Sequence, residues 1–238
     1  MNKWVYLSHQ LNAATPAYGK GEGFRVQRVS SIANGDTSNN SFFQLSSHLG
    51  THIDSSYHFE KAGYSLDQLT AEQWVFSSVH VIEYQAVPGE MLGGSNWLTL
   101  FEQTPVDTDL LLVKTGFERY REKASLVPDD SLYIFHNPGW LPEAGLWLRE
   151  NRNIRAIGFD FISLTSYQNR SLGRQAHRAF LASQPDGAAN DWKHDPIMII
   201  EDMKLSELTE IPELVIAAPL LFEGADGSPA TVLAKLSI

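Results

Sequence analysis

Residues 48–59 read His-Leu-Gly-Thr-His-Ile-Asp-Ser-Ser-Tyr-His-Phe, which puts three of the chain's eight histidines and one aspartate within eleven residues. On an extended backbone His48, His52, Asp54 and His58 would all project from one face, because their positions share parity. A straight strand, at about 3.3 Å per residue, would hold His48 and His58 roughly 33 Å apart, too far for one shared ion. The segment must therefore bend, and Gly50 and the turn-forming Asp54-Ser55-Ser56 stand where bends are needed. A regular helix does not serve, because the His48/His52 and Asp54/His58 pairs would face different directions. A one-sided array of imidazole and carboxylate suits Zn²⁺, Mn²⁺ or Fe²⁺, and three protein ligands, His48, His52 and Asp54, leave a position open to water. Such a water ionises near neutral pH and can attack a carbonyl polarised by the same ion, with the remaining histidine moving protons. The plainer alternative, a polar loop whose histidines bond only to neighbours, accounts poorly for four candidate ligands on one face.

Upstream of this segment, strands are expected at 3–8, 23–32 and 42–47, with a Gly- and Pro-containing loop over 14–23 and a polar turn over 34–40. Downstream, short apolar runs at 75–84, 110–114, 132–135, 156–159 and 196–200 predict further strands, several of them buried on both faces. Helices are expected at 98–102, 143–150 and 174–182. Two β-rich runs, 213–222 and 229–238, flank Gly224-Ala225-Asp226-Gly227-Ser228 and predict a C-terminal hairpin. The alternation argues for an α/β fold with a mixed sheet, and with no internal repeat or linker it reads as a single domain over 1–238.

Composition narrows the function. The chain has 238 residues, 43% hydrophobic and 19% charged, which suits an ordinary globular core. Eighteen Lys and Arg against 28 Asp and Glu give a net charge of −10, so neither nucleic acid nor an anionic membrane is an expected partner. The basic cluster Arg119, Arg121 and Lys123 alternates with Glu118 and Glu122, the pattern of a solvated helix face. There is no cysteine, which removes disulfides, thiolate nucleophiles and Cys-type zinc sites. No apolar run is long enough for a signal peptide or a membrane span, so a cytoplasmic location is the default expectation.

The pattern His48-x-Gly50-Thr51-His52-x-Asp54-x-x-x-His58 resembles the signature of the cyclase-like metal hydrolase family, which includes bacterial kynurenine formamidases and isatin hydrolases. Lys114-Thr115-Gly116-Phe117, His136-Asn137-Pro138-Gly139, Gly158-Phe159-Asp160 with Ser163, Ala176-His177, Ile200-Glu201 and the block 224–229 resemble further family segments. Two positions depart from it: Ser56 stands where the family has proline, and Asp202 where relatives usually carry asparagine. The resemblance implies a three-layer β/β/α swivelling fold, assembly as a homodimer or homotetramer, and one or two divalent metals, zinc or manganese. It assigns His48, His52 and Asp54 to a first metal, and Asp54 with His177 and Glu201 to a second. It makes His58 an acid/base or an additional ligand.

From the residues alone, His177 reads as a partly buried structural histidine and Glu201 as a surface carboxylate ending a strand. Asp160 and Ser163 read as structural hydrogen-bonding groups, and His136 as part of a turn. Tyr57 and Phe59, which flank His58, are the candidate substrate-binding residues and hint at a small, aromatic or apolar substrate. The expected activity is hydrolysis of a small amide, lactam or formamide by metal-bound hydroxide. The alternatives are a lyase or cyclase in which the metal stabilises an enolate, and a non-catalytic metal-binding member of the fold.

Overall fold

The computed structural model describes residues 2–126 and 131–237, and among these it has thirteen strands and five α-helices. The first strands are β1 (Asn2–Tyr6), β2 (Arg25–Ser30), β3 (Asn40–Gln44), β4 (His52–Asp54), β5 (Val75–Phe76), β6 (Val79–Glu83) and β7 (Met91–Leu92). Then come β8 (Leu110–Lys114), β9 (Gly139–Trp140), β10 (Ala156–Phe159), β11 (Met198–Glu201), β12 (Leu214–Pro219) and β13 (Gly227–Ser237). The helices are α1 (Leu98–Gln103), α2 (Arg121–Leu126), α3 (Leu132–Phe135), α4 (Pro142–Asn151) and α5 (Arg170–Leu181).

The apolar runs are strands whose two faces feed two cores. Leu111, Val113, Ile157, Phe159 and Ile199 pack with Trp97, Trp140 and the inner faces of α4 and α5. Their neighbours in sequence, Leu110, Leu112, Ala156, Met198 and Ile200, pack instead with Val5, Val215, Val232 and Ala234 of β1, β12 and β13. A period of two thus sorts each strand between a helical layer and a second β layer, and the expected α/β, three-layer β/β/α arrangement is what the chain adopts. The main sheet runs β5-β12-β13-β4-β11-β10-β8-β6, with β1 added alongside β13. The eleven-residue β13 joins the layers: Gly227, Ser228 and Pro229 pair with β4, whereas its later residues pair with β12 and β1.

Three expectations need correction. Residues 132–135 are the helix α3 and no strand, because the Ser131 hydroxyl accepts from the Ile134 amide and caps the turn. The run 75–84 is two strands in different layers, β5 on β12 and β6 on β8. The break falls at Ser77 and Ser78, whose amides both donate to the Asp109 carboxylate at 3.1 Å. The C-terminal hairpin is present as β12 and β13, but Gly227 already lies inside β13 and pairs with Asp54, so the Asp-Gly pair is no tight turn. The β2–β3 ribbon stands exposed along all but the half-buried Ser30, including Val26, Val29, Phe42 and Phe43. Among the described residues no helix is long and apolar enough to cross a membrane.

Candidate metal centre

The histidine segment crosses the middle of the sheet as β4, between β13 and β11. Alternation turns Ile53 into the second core and leaves His52 and Asp54 on the opposite face. The register of β11 sets Glu201 directly opposite His52, and the Glu201 Oε2 lies 3.3 Å from His52 Nε2. Before the strand, Gly50 takes a left-handed φ of +69°, and a Cβ there would sit 2.6 Å from the Leu11 side chain. That reversal brings His48 back, with Nδ1 2.8 Å from Asp54 Oδ1. After it, Ser56–His58 forms a single 3₁₀ turn that swings His58 over His48, ring centroids 4.1 Å apart. Ser56 serves this turn: its hydroxyl accepts from the Tyr64 amide at 2.8 Å and closes the 57–64 loop.

His177 and Glu201 come from other elements. Gly173 lets α5 close onto the 163–165 loop, where a Cβ would lie 2.4 Å from the Thr165 side chain. One turn later His177 points its Nε2 at Glu201 Oε1 (3.6 Å) and Asp54 Oδ2 (3.8 Å). The Leu164 amide donates to Glu201 Oε1 at 2.6 Å and fixes the carboxylate. Glu201 is therefore no surface carboxylate: it is 3% exposed and His177 4%, and the two meet at one point. Among the described residues, two triplets bring their ligand atoms within 4.8 Å of one another: His48, Asp54 and His58, and His52, Asp54 and Glu201, with Asp54 common to both.

The donors fit a divalent cation. Because carbonyls only accept, His52 Nδ1 donates to the Gly50 carbonyl (2.8 Å) and His177 Nδ1 to the Gly173 carbonyl (2.9 Å). In the neutral rings, Nε2 then carries a lone pair, and both lone pairs face carboxylate oxygens. Lone pairs opposed in this way repel unless a proton or a cation lies between them, and ligand imidazoles elsewhere are oriented by the same backbone bond. Burial disfavours charge on His52 and His177, but Asp54 and Glu201 outweigh it and raise both. Burial likewise opposes ionisation of Asp54 and Glu201, yet the adjacent imidazoles hold both carboxyls below their ordinary range.

One participant was missed in the sequence. Asp226, read as a turn residue, accepts from His48 Nε2 at 2.8 Å and from His58 Nδ1 at 3.1 Å through the same Oδ2. Those bonds hold its carboxyl well below the usual range. Burial works against charge on His48, but Asp54 and Asp226 on its two nitrogens push it up to about 10. The signal available in the sequence was Gly227, where a Cβ would stand 2.3 Å from the His48 ring.

The flanking aromatics part ways, because the chain turns between them. Phe59 stacks on His177 with centroids 4.6 Å apart, while Tyr57 faces outward and is 44% exposed. Asp160 is structural, accepting from the Thr115 and Gly116 amides, with burial raising its carboxyl to about 6. Ser163 lies 3.4 Å from Glu201, and the His136 carbonyl accepts from Gly89 in the expected turn.

Comparison with known proteins adds a family. The family model described as Cyclase matches residues 5–165. Cyclase-like protein 2 of Oryza sativa subsp. japonica is 26% identical over 236 residues, covering 94% of this chain and 75% of the rice protein. Kynurenine formamidase of Bacillus anthracis is 25% identical over 234 residues, 98% of each chain. Among solved structures, isatin hydrolase A from Labrenzia aggregata bound to benzyl benzoate superposes with a TM-score of 0.76 at 25% identity, covering 100% of this chain and 94% of that one.

Proposed function

The chain belongs to the cyclase family, and from that premise we propose that it is a metal-dependent hydrolase cleaving the carbon–nitrogen bond of a small amide, lactam or formamide. The observation that carries this reading is Asp54, one buried carboxylate shared by two groups of converging ligand atoms. Two of the similar proteins bear the names of such hydrolases, kynurenine formamidase and isatin hydrolase. His48, His52, Asp54, His177 and Glu201 are the residues to hold zinc or manganese, one ion or two. When bound, the metal supplies a Lewis acid for the amide carbonyl and makes a water nucleophilic near neutral pH.

The chain's own groups do the rest. His58 engages Asp226 through Nδ1, which leaves its other nitrogen to carry a proton to the leaving nitrogen of the substrate. Asp226 orients that ring. Phe59, flat against His177, forms an inner wall, and Tyr57 offers an exposed apolar rim against which an aromatic substrate group can pack. We further propose a cytoplasmic homodimer or homotetramer; the exposed Val26, Val29, Phe42 and Phe43 of the β2–β3 ribbon support assembly.

The test is elemental analysis of gently purified protein, paired with hydrolysis assays on an N-formyl arylamine and an aromatic lactam in ¹⁸O-labelled water. The expected result is metal-dependent cleavage with label in the product, lost in His52→Ala. Wild-type protein that takes up no divalent ion would overturn the reading, and turnover without label would favour the enolate lyase.

A further inference from the structure

Glu201 is followed at once by a residue in an unfavourable backbone conformation. Asp202 has φ +53°, in the left-handed region that side-chain-bearing residues other than Asn and Asp seldom enter. The strand β11 therefore turns sharply one residue after a ligand. Five bonds hold that turn. The Asp202 carboxylate, 1% exposed, receives a fork from Arg121, Nε at 2.7 Å and Nη2 at 2.8 Å, and a third bond from the Tyr133 hydroxyl. Its amide donates to the Phe161 carbonyl at 3.0 Å, and its own carbonyl accepts from the Thr51 hydroxyl.

These partners are not scattered. Thr51 immediately precedes His52, and Phe161 leads into the segment whose Leu164 amide grips Glu201. Arg121 and Tyr133 belong to α2 and α3, which touch none of the candidate ligands by hydrogen bond or ion pair among the described contacts. A single residue thus ties the two strands that carry His52 and Glu201 to the loop that fixes Glu201, and braces all three against two helices.

We infer that Asp202, clamped by Arg121 and Tyr133, is a positioning residue that sets the Glu201 carboxylate for metal binding. It acts through Glu201 and touches neither metal nor substrate. The inference rests on the metal-centre reading and is independent of which bond the enzyme cleaves.

The experiment is calorimetric titration of Mn²⁺ into chelator-stripped full-length protein, with folding of each variant checked by circular dichroism. Asp202→Ala and Arg121→Gln are expected to weaken Mn²⁺ binding about 10- to 100-fold, the range for lost partners of ligand residues. In a Glu201→Gln background the same changes should have almost no further effect, since coupled residues are non-additive. Asp202→Asn preserves the shape and the left-handed turn but spoils half the fork; it keeps the test alive if the alanine variant does not fold, and it should still weaken binding several-fold. Unchanged affinity in Asp202→Asn and Arg121→Gln, or equal losses with and without Glu201, would overturn the inference. So would wild-type affinity in Asp202→Gly, which keeps the turn and discards the clamp. Wild-type protein that binds Mn²⁺ yet cleaves no amide would end the hydrolase reading and leave the clamp standing on these titrations.

Discussion

The two sides of Asp54 differ most in their access to water. On the inner side, His52, His177 and Glu201 are each less than 5% exposed, and every one is held by a backbone group: the carbonyls of Gly50 and Gly173 and the amide of Leu164. On the outer side the side chains of His48, His58 and Asp226 are 23%, 27% and 36% exposed, and they hold mainly one another. A buried, backbone-anchored set has little room to relax, which suits a fixed geometry. A solvent-reached set of side chains can exchange protons with water. On the proposed function, the inner set with His48 would hold the metal and His58 would move protons from the wetter side, with Asp54 as the common wall.

Breaking the common wall should cost most. Asp54→Ala is expected to abolish stoichiometric metal in elemental analysis and to lower kcat/KM by more than about 10⁴-fold, or about 5.5 kcal/mol of transition-state stabilisation. Retained metal would mean the two sides do not depend on Asp54. Breaking only the outer side should separate chemistry from binding: His58→Ala is expected to keep its metal and lose about 10²- to 10³-fold in kcat, the usual scale of a general acid/base. Loss of metal instead would make His58 a ligand. Gly227→Ala presses a Cβ onto the His48 ring, and should reduce activity about tenfold and thermal stability by about 1–3 kcal/mol, as overpacking does. Wild-type behaviour of that variant would show that the outer side tolerates displacement.

The mildest probe is pH. The His48 imidazole stands at about 10 in the fold against 6.5 ordinarily. Its protonated form therefore stabilises the metal-free chain fully below pH 6.5, and that contribution is lost as pH rises towards 10. Metal uptake runs the other way, because a ligand nitrogen must first lose its proton. Thermal melts should show the chelated protein weakening across this window while apparent metal affinity increases. A metal-free protein that grows more stable over the same range would contradict the assignment of His48 to both carboxylates.

Much of this architecture is legible along the chain. The runs at 110–114 and 156–159 coincide with β8 and β10, because strands buried on both faces must be apolar throughout. Helices α4 and α5 were found within a few residues, Pro142 and Arg170 beginning each slightly earlier than expected. Local chemistry misled where it competed with tertiary partners. Four apolar residues over 132–135 look like a strand until Ser131 caps them, and the run 75–84 hides a layer change that only Asp109, 31 residues on, enforces. In the centre, His48, His52, Asp54 and His58 were visible because they lie close together and share parity. Asp226 was hidden, since 178 residues separate it from the His48 ring it binds.

By itself the sequence determined the available chemistry: imidazoles and a carboxylate gathered over 48–58, and no thiol anywhere in the chain. It also determined the alternation that sorts apolar residues between two cores, since a period of two survives in any strand. Only the tertiary structure decided which ligands meet. That outcome depends on register, which sets Glu201 opposite His52 and Gly227 opposite Asp54, and on close approaches permitted at Gly173 and Gly227. Register and close approach are properties of chain segments brought together from far apart, and no local spacing encodes them.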